Sequence, residues 1–126
     1  MPEVVFGEYQ QGKRPVTEMT RDPRIGVIAR LRRDPEFAIA MVGEAVELMT
    51  DGHAEEARSI LRLVANAVGF EELACATGTH AKTLHRQLSP SGNPTMNAVS
   101  QILHALTTQI MQKPMRATIR FEAGTP

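Results

Sequence analysis

The chain has a single cysteine, Cys75, no tryptophan, and aromatic residues at only 4% of its 126 positions. One cysteine excludes an internal disulfide, and its place inside a short helical pattern favours a small packed thiol over a reactive one. So few aromatics argue against modules that stack unpaired bases of RNA or single-stranded DNA. No apolar run approaches the roughly 18 residues of a membrane span, the longest being residues 37–42. The start Met1-Pro2-Glu3 lacks a basic stretch ahead of an apolar one, so the expectation is a soluble cytoplasmic protein. At 42% hydrophobic, the length suits one compact domain able to bury roughly two thirds of its unfolded surface.

Catalytic constellations are also missing. His80 and His85 lie five apart, a poor spacing for one helix face, and no Cys or carboxylate completes a ligand set with His53 or His104. There is no glycine loop to cradle phosphate and no Ser in an activated-nucleophile motif. The expectation is a protein that is not an enzyme, with no catalytic residues, no cofactor and no metal.

Net charge is zero but unevenly spread: residues 1–33 carry +3, residues 34–72 carry −7, and residues 73–126 carry +4. A basic end beside an acidic middle suits a protein with two partners, one nucleic acid and one basic protein, although solvated acidic helix faces are the commoner cause of such a run.

What the chain does have is helix punctuation. Residues 1–21, with Gly7, Gly12, Pro15 and Lys13-Arg14, show no sustained period and read as an arm or weak hairpin. Asp22-Pro23 and Asp34-Pro35 each pair a capping aspartate with a proline at the first helical position, where its missing N–H costs nothing. The first opens a helix to about Arg33 with Ile25, Ile28 and Leu31 inward. The second runs to about Thr50 with Ala38, Met41, Val42, Ala45, Leu48 and Met49 as its buried stripe. After Asp51-Gly52 a third helix runs to about Val68, placing Ala57, Ile60, Leu61, Val64 and Val68 on one face, and Gly69 ends it. Arg58 and Arg62, one turn apart, are expected to meet Glu55 or a partner's carboxylates.

Residues 69–88 read as two short helices joined by a tight turn. Leu73, Ala74 and either Ala76 or Thr77 turn inward on the first, Gly78 stands where a left-handed residue is needed, and Thr79 is placed to cap the second. Leu84 and Leu88 pin the second helix from below, while His80, Lys82, Thr83, Arg86 and Gln87 project outward. A plain αα-hairpin inside a core fits this spacing equally well. Ser89-Pro90-Ser91-Gly92-Asn93-Pro94 is turn chemistry, with Gly92 and Asn93 tolerant of unusual φ. Thr95 then caps a last helix with Met96, Val99, Ile102, Leu103, Leu106 and Ile110 inward. Lys113-Pro114 stops it, and residues 115–121 alternate apolar with polar as a strand does. Such a strand must pair with the N-terminal arm or with its own copy in a dimer.

Across residues 34–106, somewhat more than half of the chain, the sequence resembles the HigA-like addiction module antidote antitoxins, a branch of the λ-repressor-like helix-turn-helix proteins. The matching residues are Asp34-Pro35-Glu36-Phe37, Glu44-Ala45, Asp51-Gly52, Leu73-Ala74, Thr77-Gly78, Leu84, Arg86, Leu88-Ser89, Gly92-Asn93-Pro94, and Leu103 with Leu106. Thr79-His80 and Ala81-Lys82 depart from the family pattern, which leaves the helix pair intact but alters the face that would read DNA.

The resemblance implies an all-α, λ-repressor-like helix-turn-helix domain of about five to six helices with a short C-terminal β-strand. On this reading the chain divides into an arm at residues 1–21, a helical domain at 22–112 with the helix-turn-helix at 70–88, and a tail at 113–126 that is a candidate dimer contact. The expected function is sequence-specific binding of double-stranded operator DNA by a homodimer that represses its own operon. The expected protein partner is a RelE-like or HigB-like ribonuclease toxin, with the acidic residues 34–56 as the surface facing it. The expected DNA contacts are Thr79, His80, Lys82, Thr83, Arg86, Gln87, Asn93 and Asn97, Asn93 also having a turn to form. A stand-alone phage or plasmid-type repressor and a protein-interaction scaffold without DNA binding are the alternatives, the latter favoured by Glu71 and Glu72 beside the reading helix.

Overall fold

A computed structural model describes residues 23–124, which hold six α-helices and no strand: α1 (Pro23–Arg33), α2 (Pro35–Thr50), α3 (Ala54–Val68), α4 (Phe70–Thr77), α5 (Ala81–Gln87) and α6 (Met96–Met111). The fold is all-α. None of these helices is long and apolar enough to cross a membrane. The arm at residues 1–21 and the cap at Asp22 lie outside the described residues.

The punctuation works as its chemistry requires. Asp34 caps α2, its carboxylate accepting from the Phe37 N–H at 3.1 Å, with Pro35 in the first turn. Thr95 caps α6 by accepting from the Ala98 N–H at 3.1 Å. Gly69, at φ 107°, both ends α3 and starts α4, a conformation closed to ordinary L residues. Arg30 ties the α1–α2 corner, lying over the Phe37 ring at 3.8 Å and 3.6 Å from the Asp34 carboxylate. Replacing Asp34 by Ala is expected to cost about 1 kcal/mol, read as a lower urea midpoint at unchanged slope, because the Phe37 N–H loses its acceptor.

One core joins all six helices. The extensive α2–α3 contact supplies Ala38, Val42, Ala45, Ala57, Leu61, Val64 and Ala65. Leu31 enters from α1, which crosses α3, and Ile102, Ala105 and Leu106 enter from α6, which rests on α2, α3 and α4. Phe70 and Leu73 of α4, Leu84 of α5 and Leu88 just beyond it complete the core. Burying a side chain of this size contributes roughly 1.5–3 kcal/mol, so packing rather than intrinsic propensity holds helices as short as α4 and α5.

Several expectations need correction. Ile25 and Met96 are 55% and 87% exposed, not inward. Both sit in the first turn of their helices, where period alone assigns a face but no helix among the described residues covers it. Cys75 is exposed, because the narrow inner stripe of the eight-residue α4 is taken by Phe70 and Leu73. The stop before Lys113-Pro114 falls where expected: α6 ends at Met111 and Gln112 caps it, its left-handed φ of 57° letting its N–H reach the Thr108 carbonyl at 2.7 Å. The C-terminal strand is not seen: residues 114–121 make no backbone hydrogen bond to any described residue, and the N-terminal arm expected as one possible partner lies outside the described residues.

Candidate nucleic-acid interface

Helices α4 and α5 are joined by Gly78, Thr79 and His80. Gly78 takes the left-handed conformation, φ 71° and ψ 17°, and its N–H bonds to the Ala74 carbonyl at 2.9 Å. The Thr77 hydroxyl donates to the Leu73 carbonyl at 2.8 Å and accepts from the Thr79 N–H at 3.2 Å, locking the turn from within. The N-cap of α5 is His80, in extended conformation and with no side-chain capping bond. Thr79 is therefore not the cap: its N–H is held by Thr77, which places it one residue too early. Thr77, half-buried, and not the exposed Ala76, continues the inner stripe of α4.

Helix α5 is held along its underside and at its far end. Leu84 and Leu88 are buried, and the His85 ring stacks on Phe70 with centroids 3.6 Å apart and planes 19° apart. Beyond the last turn, Arg62 Nη1 donates to the Leu88 carbonyl at 2.6 Å. Arg58 Nε and Nη2 donate to the Ser89 and Pro90 carbonyls, each at 2.9 Å. These two arginines meet the end of α5 rather than Glu55 or any other carboxylate among the described residues.

Their target is understandable from what α5 lacks. Its C-cap, Leu88, has φ −96°, so the glycine-type cap that usually satisfies final carbonyls is missing, and cations from α3 take its place. Sequence reasoning missed this brace, and also the Phe70–His85 stack. The available signal was two arginines one turn apart on a mostly apolar helix, together with a short helix that runs into Leu88-Ser89-Pro90 without a glycine.

The loop after α5 folds tightly back. Gly92 donates to the Ser89 carbonyl at 2.9 Å, and a Cβ built on it would meet the backbone carbonyl oxygens of Gln87 and Arg86 at 2.2 and 2.5 Å. Neither Gly92 nor Asn93 has a positive φ, so close approach, not unusual φ, is the reason glycine stands there. Asn93, the next residue, is exposed at the end of α5, and Asn97 is exposed in the first turn of α6.

Of the expected contact residues, His80, Lys82, Arg86, Asn93 and Asn97 are exposed, while Thr79, Thr83 and Gln87 are half-buried along the flanks. Lys82 and Arg86, four residues apart, share one face about 6 Å apart along the axis. Among the described residues neither side chain has a hydrogen-bond or ion-pair partner. The chain has no acidic residue between Glu72 and Glu122, so α5, its loop and α6 carry only positive or neutral side chains. Chemically, this is a rigidly mounted helix with two unpaired cations and flanking amide and hydroxyl groups, suited to phosphate oxygens and base edges. Compared with protein-family models, curated proteins and solved structures, the chain matches none.

Proposed function

We propose that this chain is a cytoplasmic, sequence-specific regulator of transcription that binds double-stranded DNA without enzymatic activity, α4 and α5 forming a λ-repressor-like helix-turn-helix. Helix α5 enters the major groove, with Lys82 and Arg86 contacting guanine edges or phosphate and His80, Thr79, Thr83 and Gln87 beside them. Asn93 and Asn97 meet the DNA backbone. The observation that carries this reading is the pair of unpartnered cations on the outer face of a seven-residue helix that is anchored below and at its end. A homodimer would set two such helices about 34 Å apart, one turn of duplex.

The HigA-like resemblance extends the reading to the antitoxin of a toxin–antitoxin pair that represses its own operon. The exposed Glu36, Glu44 and Glu47 of α2, its cap Asp51, and Glu55 and Glu56 of α3 are the surface for a basic ribonuclease toxin. A stand-alone phage or plasmid-type repressor shares the DNA site and lacks that partner. Pull-down with the product of the adjacent gene separates them.

Fluorescence anisotropy on the upstream promoter duplex tests the DNA reading. Arg86→Ala is expected to weaken binding roughly tenfold, and Lys82→Ala with Arg86→Ala roughly a hundredfold, with a shallower salt dependence. Wild-type protein with no salt-sensitive affinity for the duplex would overturn the reading. It would favour an interaction scaffold, a role that the exposed Glu71 and Glu72 at the start of α4 support because phosphate would run near them.

A further inference from the structure

Residues 115–121 combine three features. They make no backbone hydrogen bond to the described residues, they alternate apolar Met115, Ala117, Ile119 and Phe121 with polar Arg116, Thr118 and Arg120, and they lie along a groove of about 470 Å³. The groove's other wall is mainly apolar, with Ile39, Val42 and Val46 of α2 and Leu103 of α6, and carries Glu47 and His104 as its charged or titratable side chains. Three of the five large hydrophobic side chains left exposed in the described chain, Met115, Ile119 and Phe121, are on this segment. A backbone without partners among the described residues, alternating so that one face is apolar, is a template for another strand.

We propose that the occupant is the same segment of a second copy of this chain, paired antiparallel about a twofold axis through Ile119, the joint apolar face closing over the grooves of both subunits. This deepens the dimer contained in the proposed function by naming its seat and register. The choice of register follows from side-chain parity and charge.

Keeping both apolar faces on one side requires each residue to oppose one of the same parity, so the axis must pass through a residue. Centring on Thr118 would set Arg116 against Arg120 of the second copy, and centring on Arg120 would set that cation against itself. Like charges directly opposed destabilise a pair. Centring on Ala117 puts Arg120 opposite Pro114, which has no N–H for the ladder. Centring on Phe121 also pairs Arg120 with Glu122, but it sets Thr118 against Gly124, which weakens a strand interior, and leaves Met115 and Ala117 opposite no described residue. Centring on Ile119 sets Arg116 against Glu122 of the second copy, twice by symmetry, and places the small Ala117 beneath the large Phe121. Arg120 and Glu122, which pair at 2.7 Å within one chain, already lie on that polar face.

The test is made on the full chain without DNA. Sedimentation equilibrium is expected to show a dimer at micromolar concentration that Arg116→Glu weakens roughly tenfold and that Arg116→Glu with Glu122→Arg restores. In a Cys75→Ser background, Ile119→Cys is expected to form a disulfide-linked dimer on mild oxidation far more completely than Thr118→Cys. A monomeric wild-type chain, a dimer indifferent to both charge variants, or preferential cross-linking at 118 would overturn the proposal. The segment contributes no side chain to the buried core, so an unchanged melting temperature of the monomeric unit certifies that each variant is folded. Because the readout is association, a chain that dimerises this way yet ignores DNA would sink only the functional reading.

Discussion

Gly92→Ala is expected to lower stability by roughly 3 kcal/mol, a fall of about 10–20 °C in melting temperature for a domain of this size. The added methyl would sit 2.2 Å from the Gln87 carbonyl oxygen, 2.5 Å from that of Arg86 and 2.7 Å from the Gln87 carbonyl carbon. All three are backbone atoms of the last turn of α5, so no side-chain rotation relieves the contact. Either the loop moves outward and loses the Gly92–Ser89 bond, or α5 shifts and loses the arginines that hold its end. Gly52→Ala is the control. Gly52 has φ 86° but open space around it, so its substitution should cost only about 1 kcal/mol from backbone strain. A Gly92→Ala melt within a degree or two of wild type would show that the loop does not pack on α5 as described.

Removing both braces, Arg58→Ala with Arg62→Ala, is expected to cost roughly 3–4 kcal/mol, measured by urea unfolding. Three charge-assisted hydrogen bonds to the Leu88, Ser89 and Pro90 carbonyls disappear, and the cations that complement the carbonyl end of α5 go with them. The two residues should respond differently to lysine. Arg62 makes one bond, which an ammonium can reproduce, so Arg62→Lys should retain most of the stability. Arg58 forks to two carbonyls, and Arg58→Lys should recover only part of it. Under the proposed function, DNA affinity of the folded double variant should fall further than its stability suggests, since α5 is no longer held in one orientation. Equal recovery by both lysines would argue against the fork.

Much of the helical layout was legible because helix ends have local chemistry. Asp34-Pro35, Gly69, Gly78 and Thr95 each act where their residue type predicts, and the apolar spacing of α2 and α3 identifies their buried stripes. At the candidate site, the exposure of Lys82 and Arg86 above a buried Leu84 follows from helical period alone. The missed features depend on distant parts of the chain. The partners of Arg58 and Arg62 are more than 25 residues away, and nothing local distinguishes them from solvated cations. Gly92 does close the turn its residue type predicts, its N–H on the Ser89 carbonyl, but the sequence does not show that the backbone of α5 leaves no room for a side chain there. The helical period points Ile25, Met96 and Cys75 inward, but a period fixes direction and not where the neighbouring helix ends.

By itself, then, the sequence determined that this chain is helical, where most of its helices begin and end, and which faces they bury, since capping and amphipathic spacing act within a few residues. Only the tertiary structure decided that α5 is held at its end by cations from α3, that the loop at Gly92 presses on its carbonyls, and that residues 115–121 form no strand with the described residues. Those features depend on which backbone groups meet across the fold, and hydrogen bonds and steric contacts between remote segments leave no period in the sequence.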